Sequence, residues 1–183
     1  MSDLLTHQEQ NKLLGIARDA IGLYLKRGEI HEPACDEAAL LEPRGVFVTL
    51  TRNGRLRGCI GTFHSERPLC REVAAMAVAA ATGDPRFYPM TCKELEDFSI
   101  EISVLSPLRK IDDPLEIQVG EHGIYLEKGG RSGVLLPQVA VENRWDRRAF
   151  LQNTCRKAGL DSDAWKSPDC ILYLFTAQIF RDF

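Results

Sequence analysis

Two side chains with chemical potential lie two residues apart in the segment Leu56–Phe63. Arg57 offers a guanidinium and Cys59 a thiol, and Gly58 and Gly61 flank the cysteine. Cysteine reacts as its thiolate, which a nearby positive charge stabilises. Glycine inside a strand often marks the close approach of a ligand or of another backbone. The segment therefore predicts a site in which Cys59 is a nucleophile or covalent anchor, Arg57 holds an anion, and the two glycines open the backbone to a substrate.

The preceding residues predict how these side chains are oriented. A β-type run is followed by Asn53-Gly54, which favours a two-residue type I′ turn because both residues tolerate positive φ. Counting outward from this turn sets Leu50 opposite Arg57. It also sets Val48 opposite Cys59, so the guanidinium and the thiol are expected on the apolar face of the hairpin. The alternative, in which Cys59 packs there only as a small apolar residue, remains open.

Three further side chains are candidates for the same site. Residues 98–105 alternate, which turns Glu101 away from the core and makes it the best candidate for acid–base work. Its alternative role is to pair with a buried Arg57, since an unpaired internal charge is costly. His122, in a turn before a strand, is a second candidate for moving a proton, although such a histidine is more often a surface or hydrogen-bonded turn residue. Arg86 is a candidate for substrate binding at a groove rim, with a structural turn as the alternative.

The motif at 56–63 resembles the signature of the AMMECR domain family, whose prokaryotic members are called AmmeMemoRadiSam system protein A. The resemblance implies an α+β fold with a large lobe, a smaller lobe and a groove between them. It favours His122 over His64 as the functional histidine. The family's name implies a Memo-like protein and a radical SAM protein as partners, and it implies no settled activity. The resemblance continues in the family's order through residues 84–87, 101–107, 120–123, 136–140, Trp145 and 157–160.

The order of elements agrees with that fold class. Strands arranged in hairpins, without strict β-α-β alternation, predict an α+β protein with a mainly antiparallel sheet packed by helices. We expect one domain over residues 1–183, with the smaller lobe around 107–137. An alanine-rich helix at 69–82 is expected to pack closely on the sheet. Residues 115–119 and 171–180 are each predicted to form one strand.

Composition excludes several classes of function. A net charge of −3 in 183 residues argues against a general nucleic-acid binder. The longest wholly apolar stretch, Val73–Ala81, is too short to span a membrane. We expect no secretory signal, and six cysteines without a C-x-x-C pair predict reduced thiols in a cytoplasmic protein. No metal-ligand spacing or cofactor motif is recognisable, so neither is expected. Basic residues around a predicted helix are interpreted as a solvated face with an option for partner docking: Arg144, Arg147, Arg148, Arg156 and Lys157.

Together these features predict a cytoplasmic enzyme, or an accessory enzyme subunit, that acts on a small anionic or carbonyl-bearing substrate. Arg57, Cys59, Glu101 and His122 would line its groove. The alternative is a non-catalytic adapter or a ligand-sensing module that works with the Memo-like and radical SAM proteins. In the adapter, the motif forms a partner groove and Cys59 is only packed.

Overall fold

The computed structural model describes residues 4–182 and confirms the α+β class, with two four-stranded sheets packed by helices. The helices are α1 (His7–Arg27), α2 (Ala38–Leu41), α3 (Leu69–Thr82), α4 (Pro137–Glu142) and α5 (Arg147–Lys157), with 3₁₀ turns at Cys92–Glu94, Pro114–Glu116 and Ala164–Lys166. The strands are β1 (Val46–Arg52), β2 (Arg55–Thr62), β3 (Ser99–Leu105), β4 (Arg109–Ile111), β5 (Gly123–Lys128), β6 (Arg131–Leu135), β7 (Ile171–Phe175) and β8 (Ala177–Arg181).

The described chain divides into two compact units. The first contains the chain up to Leu105 and the segment from Gln178 onward, and the second is Ser106–Ala177. Strands in the sheet of the first unit are ordered β2-β1-β3-β8, and those in the sheet of the second β4-β7-β5-β6. Each unit has its own core of buried apolar side chains.

Two helices cover one face of the first sheet. Helix α1 begins at the capping box formed by Thr6 and Glu9 and ends at Gly28, whose φ is +69°. The alanine-rich α3 packs beside it, as predicted, and small side chains let its backbone come close to the strands. Alternate residues of β1 and β3 fill the core beneath these helices: Val46, Val48, Leu50, Ile100, Ile102 and Val104. The intervening residues of both strands therefore lie on the opposite face.

The hairpin of β1 and β2 turns where the sequence predicts, but its register differs. Asn53 and Gly54 have φ of 51° and 71°, as a type I′ turn requires. The pairing then shifts by one residue, so that Leu50 lies opposite Gly58 and Arg57 is an extra residue in a β-bulge. The expected pairings of Leu50 with Arg57 and of Val48 with Cys59 are wrong. A shift of one residue moves a side chain to the other face of a sheet.

Two strand predictions in the C-terminal half are also wrong. Residues 115–119 contain no strand, because Asp113 accepts a hydrogen bond from the amide of Leu115 and starts the 3₁₀ turn Pro114–Glu116. The predicted strand at 171–180 is two strands that separate at Thr176 and enter different sheets. Apolar residues continue through this break, so their pattern gives no sign of it.

Candidate functional site

Three polar side chains form a row across the face of the first sheet that is opposite α1 and α3. Thr49, on the central strand β1, is paired with Cys59 on one side and with Glu101 on the other. All three are half-buried, and directly paired residues project to the same face. The predicted orientation of Glu101 away from the core is confirmed. The bulge thus places Cys59 on the same face as Glu101, whereas the expected register separated them.

Thr49 gives the thiol a specific polar contact. Its hydroxyl donates a hydrogen bond to Sγ of Cys59 over 3.2 Å. This contact fixes the position of the sulfur beside Thr49 on the sheet face. Cys59 therefore lies on the face opposite the core and not beside Val48, where the packing alternative placed it.

The backbone of Cys59 is held by the loop that follows α3. The buried carboxylate of Asp84 accepts a hydrogen bond from the amide of Cys59 at 2.9 Å. Nε and Nη2 of Arg86 donate to the two oxygens of the same carboxylate at 2.9 and 2.6 Å. Nη2 of Arg86 also donates to the carbonyl oxygen of Cys59 at 3.4 Å. The ion pair of Asp84 and Arg86 therefore hydrogen-bonds both backbone polar groups of Cys59, and we call this pair the clasp.

This clasp has marked electrostatic consequences. The guanidinium of Arg86 lowers the pKa of Asp84 well below its ordinary range, against the effect of burial, and the amides of Cys59 and Arg86 lower it further. The pKa of Arg86 is raised, chiefly by its hydrogen bonds to Asp84. The side chain of Asp84 is 2% exposed and that of Arg86 is 55% exposed. Because Nη1 of Arg86 donates to none of the residues 4–182, it is the part of the clasp that is available to an anion.

Arg57 is engaged elsewhere. Its Nε and Nη2 donate to the two carboxylate oxygens of Glu94 at 2.8 and 3.3 Å. The two side chains are only 16% and 12% exposed, and the same carboxylate accepts from the amide of Thr91. The pKa of Glu94 is lowered, first by Arg57. The predicted alternative that Arg57 forms an ion pair is right in kind, but its partner is Glu94 and not Glu101.

This pair provides a test of whether Arg57 is structural. We expect Arg57→Met to lower the free energy of unfolding by about 2 kcal/mol, because it leaves a largely buried Glu94 carboxylate with only the longer 3.5 Å contact to Arg52 and the hydrogen bond from the Thr91 amide. The double variant with Glu94→Gln should lose less than the sum of the two single variants. Urea unfolding of the four proteins measures this coupling, and strict additivity would show that the two groups do not interact.

Gly58 and Gly61 have steric reasons to be glycine. A Cβ on Gly58 would lie 2.0 Å from the backbone oxygen of Ala80 in α3, on the helix-covered face. A Cβ on Gly61 would lie 2.3 Å from the ring of Phe47. The expected close approach of a backbone is therefore present at Gly58, and it is that of helix α3.

His122 belongs to the second unit, whereas Cys59, Thr49 and Glu101 belong to the first. Its Nδ1 accepts a hydrogen bond from the amide of Gln118 at 3.1 Å, and its own amide donates to the carbonyl of Gln118 at 2.9 Å. Both bonds close the turn before β5. The contacts of His122 are those of a hydrogen-bonded turn residue.

The sequence did not reveal Thr49 or Glu94 as parts of the site, nor that Asp84 holds the backbone of Cys59. Thr49 sits in an ordinary strand pattern, and only the correct register reveals it. The spacing of Asp84 and Arg86 was a usable signal, because a carboxylate and a guanidinium two residues apart can pair. Within residues 4–182, no cluster of three or more His, Cys, Asp or Glu side chains is arranged to hold a metal ion. No helix in that range is long and apolar enough to cross a membrane.

Comparison with known proteins shows which chains are similar. The model of the AMMECR1 family matches residues 14–180. Protein MK0488 of Methanopyrus kandleri is 47% identical over 191 residues, covering 100% of this chain and 92% of that protein. Protein TK0174 of Thermococcus kodakarensis is 43% identical and covers 93% of this chain and 88% of its own length. The crystal structure of the uncharacterized protein PH0010 from Pyrococcus horikoshii superposes with a TM-score of 0.86, at 42% identity, over 97% of this chain and 93% of that one.

Proposed function

The chain belongs to the AMMECR1 family, and from that premise we propose that it is a thiol-dependent cytoplasmic enzyme, or the accessory subunit of one, for a small anionic or carbonyl-bearing substrate. The observation that carries this proposal is the row of Cys59, Thr49 and Glu101 on one half-buried sheet face. A thiol, a hydroxyl donor and a carboxylate in one row supply a nucleophile, its stabilising donor and a proton acceptor. All six cysteines are free, as expected in a reducing cytoplasm.

The chemistry at Cys59 is addition to a carbonyl group. Sγ of Cys59 bonds to the carbonyl carbon, the π bond of the carbonyl breaks, and the thiol proton ends on the carbonyl oxygen. Atoms and electrons balance without a further reactant. Thr49 orients the sulfur for this attack, since its hydroxyl already donates to Sγ.

Glu101 and Arg86 define the rest of the substrate. Glu101 lies two strand spacings, about 10 Å, from Cys59. It therefore acts on a proton a few bonds away from the carbon that Cys59 attacks. Arg86, with its free Nη1, takes the anion-holding role predicted for Arg57, because Arg57 is bound by Glu94. We assign proton movement to Glu101 in preference to His122, whose Nδ1 is occupied in a turn.

The second candidate is the adapter or ligand-sensing module. The observation in its favour is that packing alone accounts for Gly58 and Gly61, so those two positions require no substrate. On this view the same sheet face binds a partner, for which the Memo-like and radical SAM proteins are the candidates, and Cys59 does no chemistry. The two proposals differ in the reactivity of Cys59.

Site-resolved alkylation separates them. In the folded protein at neutral pH, we expect iodoacetamide to label half-buried Cys59 faster than exposed Cys92. Thr49→Val keeps the shape of the side chain and removes its hydroxyl donor. The alkylation of Cys59 should then be about tenfold slower, which corresponds to the loss of one hydrogen bond of about 1.4 kcal/mol. Cys92 should label at an unchanged rate in this variant and serves as the internal control. Mass spectrometry of each cysteine-containing peptide measures these rates.

Two outcomes of the labelling experiment would contradict a reactive Cys59. If Cys59 labels only after denaturation, or if Thr49→Val leaves its rate unchanged, Cys59 is a packing residue. The adapter would then be the better description of the same face. Loss of a product-forming activity in Glu101→Gln, with Cys59 labelling retained, would further place Glu101 in proton movement.

A further inference from the structure

The second unit contains a cavity that the proposed thiol chemistry does not use. It has a volume of about 560 Å³, within the range usual for small-molecule sites. The first turn of α5 and the 3₁₀ turn Pro114–Glu116 form its walls together with Trp165. Trp165 also lines a neighbouring cavity of about 470 Å³. The apolar part of the wall consists of Pro114, Leu115, Leu151 and Trp165.

Arg147 is fixed at this cavity with part of its guanidinium unused. Its Nε donates to the carbonyl oxygen of Ile117 at 2.9 Å, and Ile117 is fully buried. Within residues 4–182, its two terminal nitrogens have no hydrogen-bond partner. A guanidinium held at one nitrogen and open at the others is already oriented for a carboxylate, so binding costs little further side-chain ordering. Arg148, the next residue, also lines the cavity, and its side chain makes no hydrogen bond within residues 4–182.

The indole of Trp165 is a second donor without a partner. Its Nε1 is buried and donates to no residue in the described range. Such a group carries an energetic penalty that an acceptor would relieve. The ring of Trp165 lines both cavities, and its N–H reaches a bound acceptor when the indole turns toward one of them.

The other charged side chains at the cavity make contacts within the second unit. Asp113 accepts from the amide of Leu115 at 2.8 Å, and Asp146 caps α5 by accepting from the amide of Ala149 at 2.7 Å. Lys166 forms an ion pair with Asp163 at 3.0 Å. Within residues 4–182, the side-chain groups at the cavity without a hydrogen-bond partner are the terminal donors of Arg147, the donors of Arg148 and Trp165, and one oxygen each of Asp113 and Asp146. Three cationic side chains and two carboxylates line the cavity, so its charge favours an anion.

From this arrangement we propose that the second unit binds a small organic carboxylate with an apolar body. Arg147 holds the carboxylate, Trp165 donates its indole N–H to it, and Leu115 and Leu151 contact the apolar body. This site is built from residues of the second unit alone and makes no use of a thiol. The basic residues that the sequence places around α5 thereby acquire distinct roles, with Arg147 turned to a ligand site and Arg156 bonded to Asn153 on the surface.

The test uses 4-phenylbutyrate and its neutral counterpart 4-phenylbutan-1-ol as probes of the full chain. We expect the acid to bind at least about tenfold more tightly than the alcohol, since only the acid makes a charge-assisted bond. Titration followed by ¹H–¹⁵N correlation of the indole groups should shift the resonance of Trp165 and leave that of Trp145 in place. The protein has these two tryptophans only, so the second is an internal reference.

Variants decide which group recognises the carboxylate. Arg147→Met should weaken acid binding by about tenfold and leave alcohol binding unchanged. Arg156→Gln removes the same charge from the same helix, outside the cavity, and should change acid binding by less than about twofold. Thermal unfolding confirms that both variants are folded. Equal binding of acid and alcohol, an unmoved Trp165 resonance, or equal effects of the two substitutions would overturn the proposal.

Discussion

Gly58→Ala should lower the free energy of unfolding by about 3 kcal/mol, at the upper end of what overpacking costs. The added methyl carbon would lie 2.0 Å from the backbone oxygen of Ala80. That oxygen belongs to helix α3 and cannot swing aside as a side-chain end can, so the helix must move away from β2. Urea unfolding followed by circular dichroism measures the loss.

Two further glycines make this prediction specific. A Cβ on Gly61 would lie 2.3 Å from the ring of Phe47 and 2.5 Å from the backbone oxygen of Val46, so Gly61→Ala should be destabilising as well. Gly15→Ala in α1 meets no atom within 4 Å and should stabilise the protein by about 0.5–1 kcal/mol, because alanine is the better helix former. If all three substitutions have the same small effect, the close approach of α3 to Gly58 is wrong.

The contact of Gly58 with α3 also shows which part of the hairpin could not be predicted from the sequence. The turn at Asn53-Gly54 was predictable because two residues with positive φ are a local requirement. The bulge at Arg57 was not, since nothing local demands an extra residue there. One signal was nevertheless available: a glycine in a strand and an alanine-rich helix both favour close packing. Had Gly58 been assigned to the face beneath that helix, Cys59 would have followed on the opposite face.

The site was predictable in part for the same reason. Alternation along β3 fixed the face of Glu101 correctly, because a strand has a period of two. The partners of Arg57 and Cys59 lie 37 and 25 residues away along the chain, in segments without regular pattern. Such contacts depend on how loops close over the sheet, which no local propensity determines. The anion-holding role that the sequence suggested for Arg57 is accordingly one that we propose for Arg86.

Asp84→Asn should destabilise the first unit by about 3 kcal/mol, because the buried carboxylate both binds the guanidinium of Arg86 and accepts from the amide of Cys59. An asparagine of the same shape turns an NH₂ group toward donors of Arg86. The pKa of Asp84 is lowered in the folded state, so its contribution is fully present above its ordinary value near 3.8. As the pH falls below that value, the unfolded chain takes up a proton that the folded chain does not, and the contribution is progressively lost.

The difference in stability between the natural chain and Asp84→Asn should therefore be constant from neutral pH to about pH 5 and narrow below about pH 4. Urea unfolding of both proteins at a series of pH values measures this difference. Asp163→Asn is the matched control: the pKa of Asp163 is also lowered, first by Lys166, but the pair is exposed and screened by solvent. At each pH the unfolding midpoint of Asp163→Asn should lie close to that of the natural chain. A difference for Asp84→Asn that is small at neutral pH, or that grows on acidification, would show that the clasp does not hold Cys59 in place, and the geometry proposed for the thiol would lose its support.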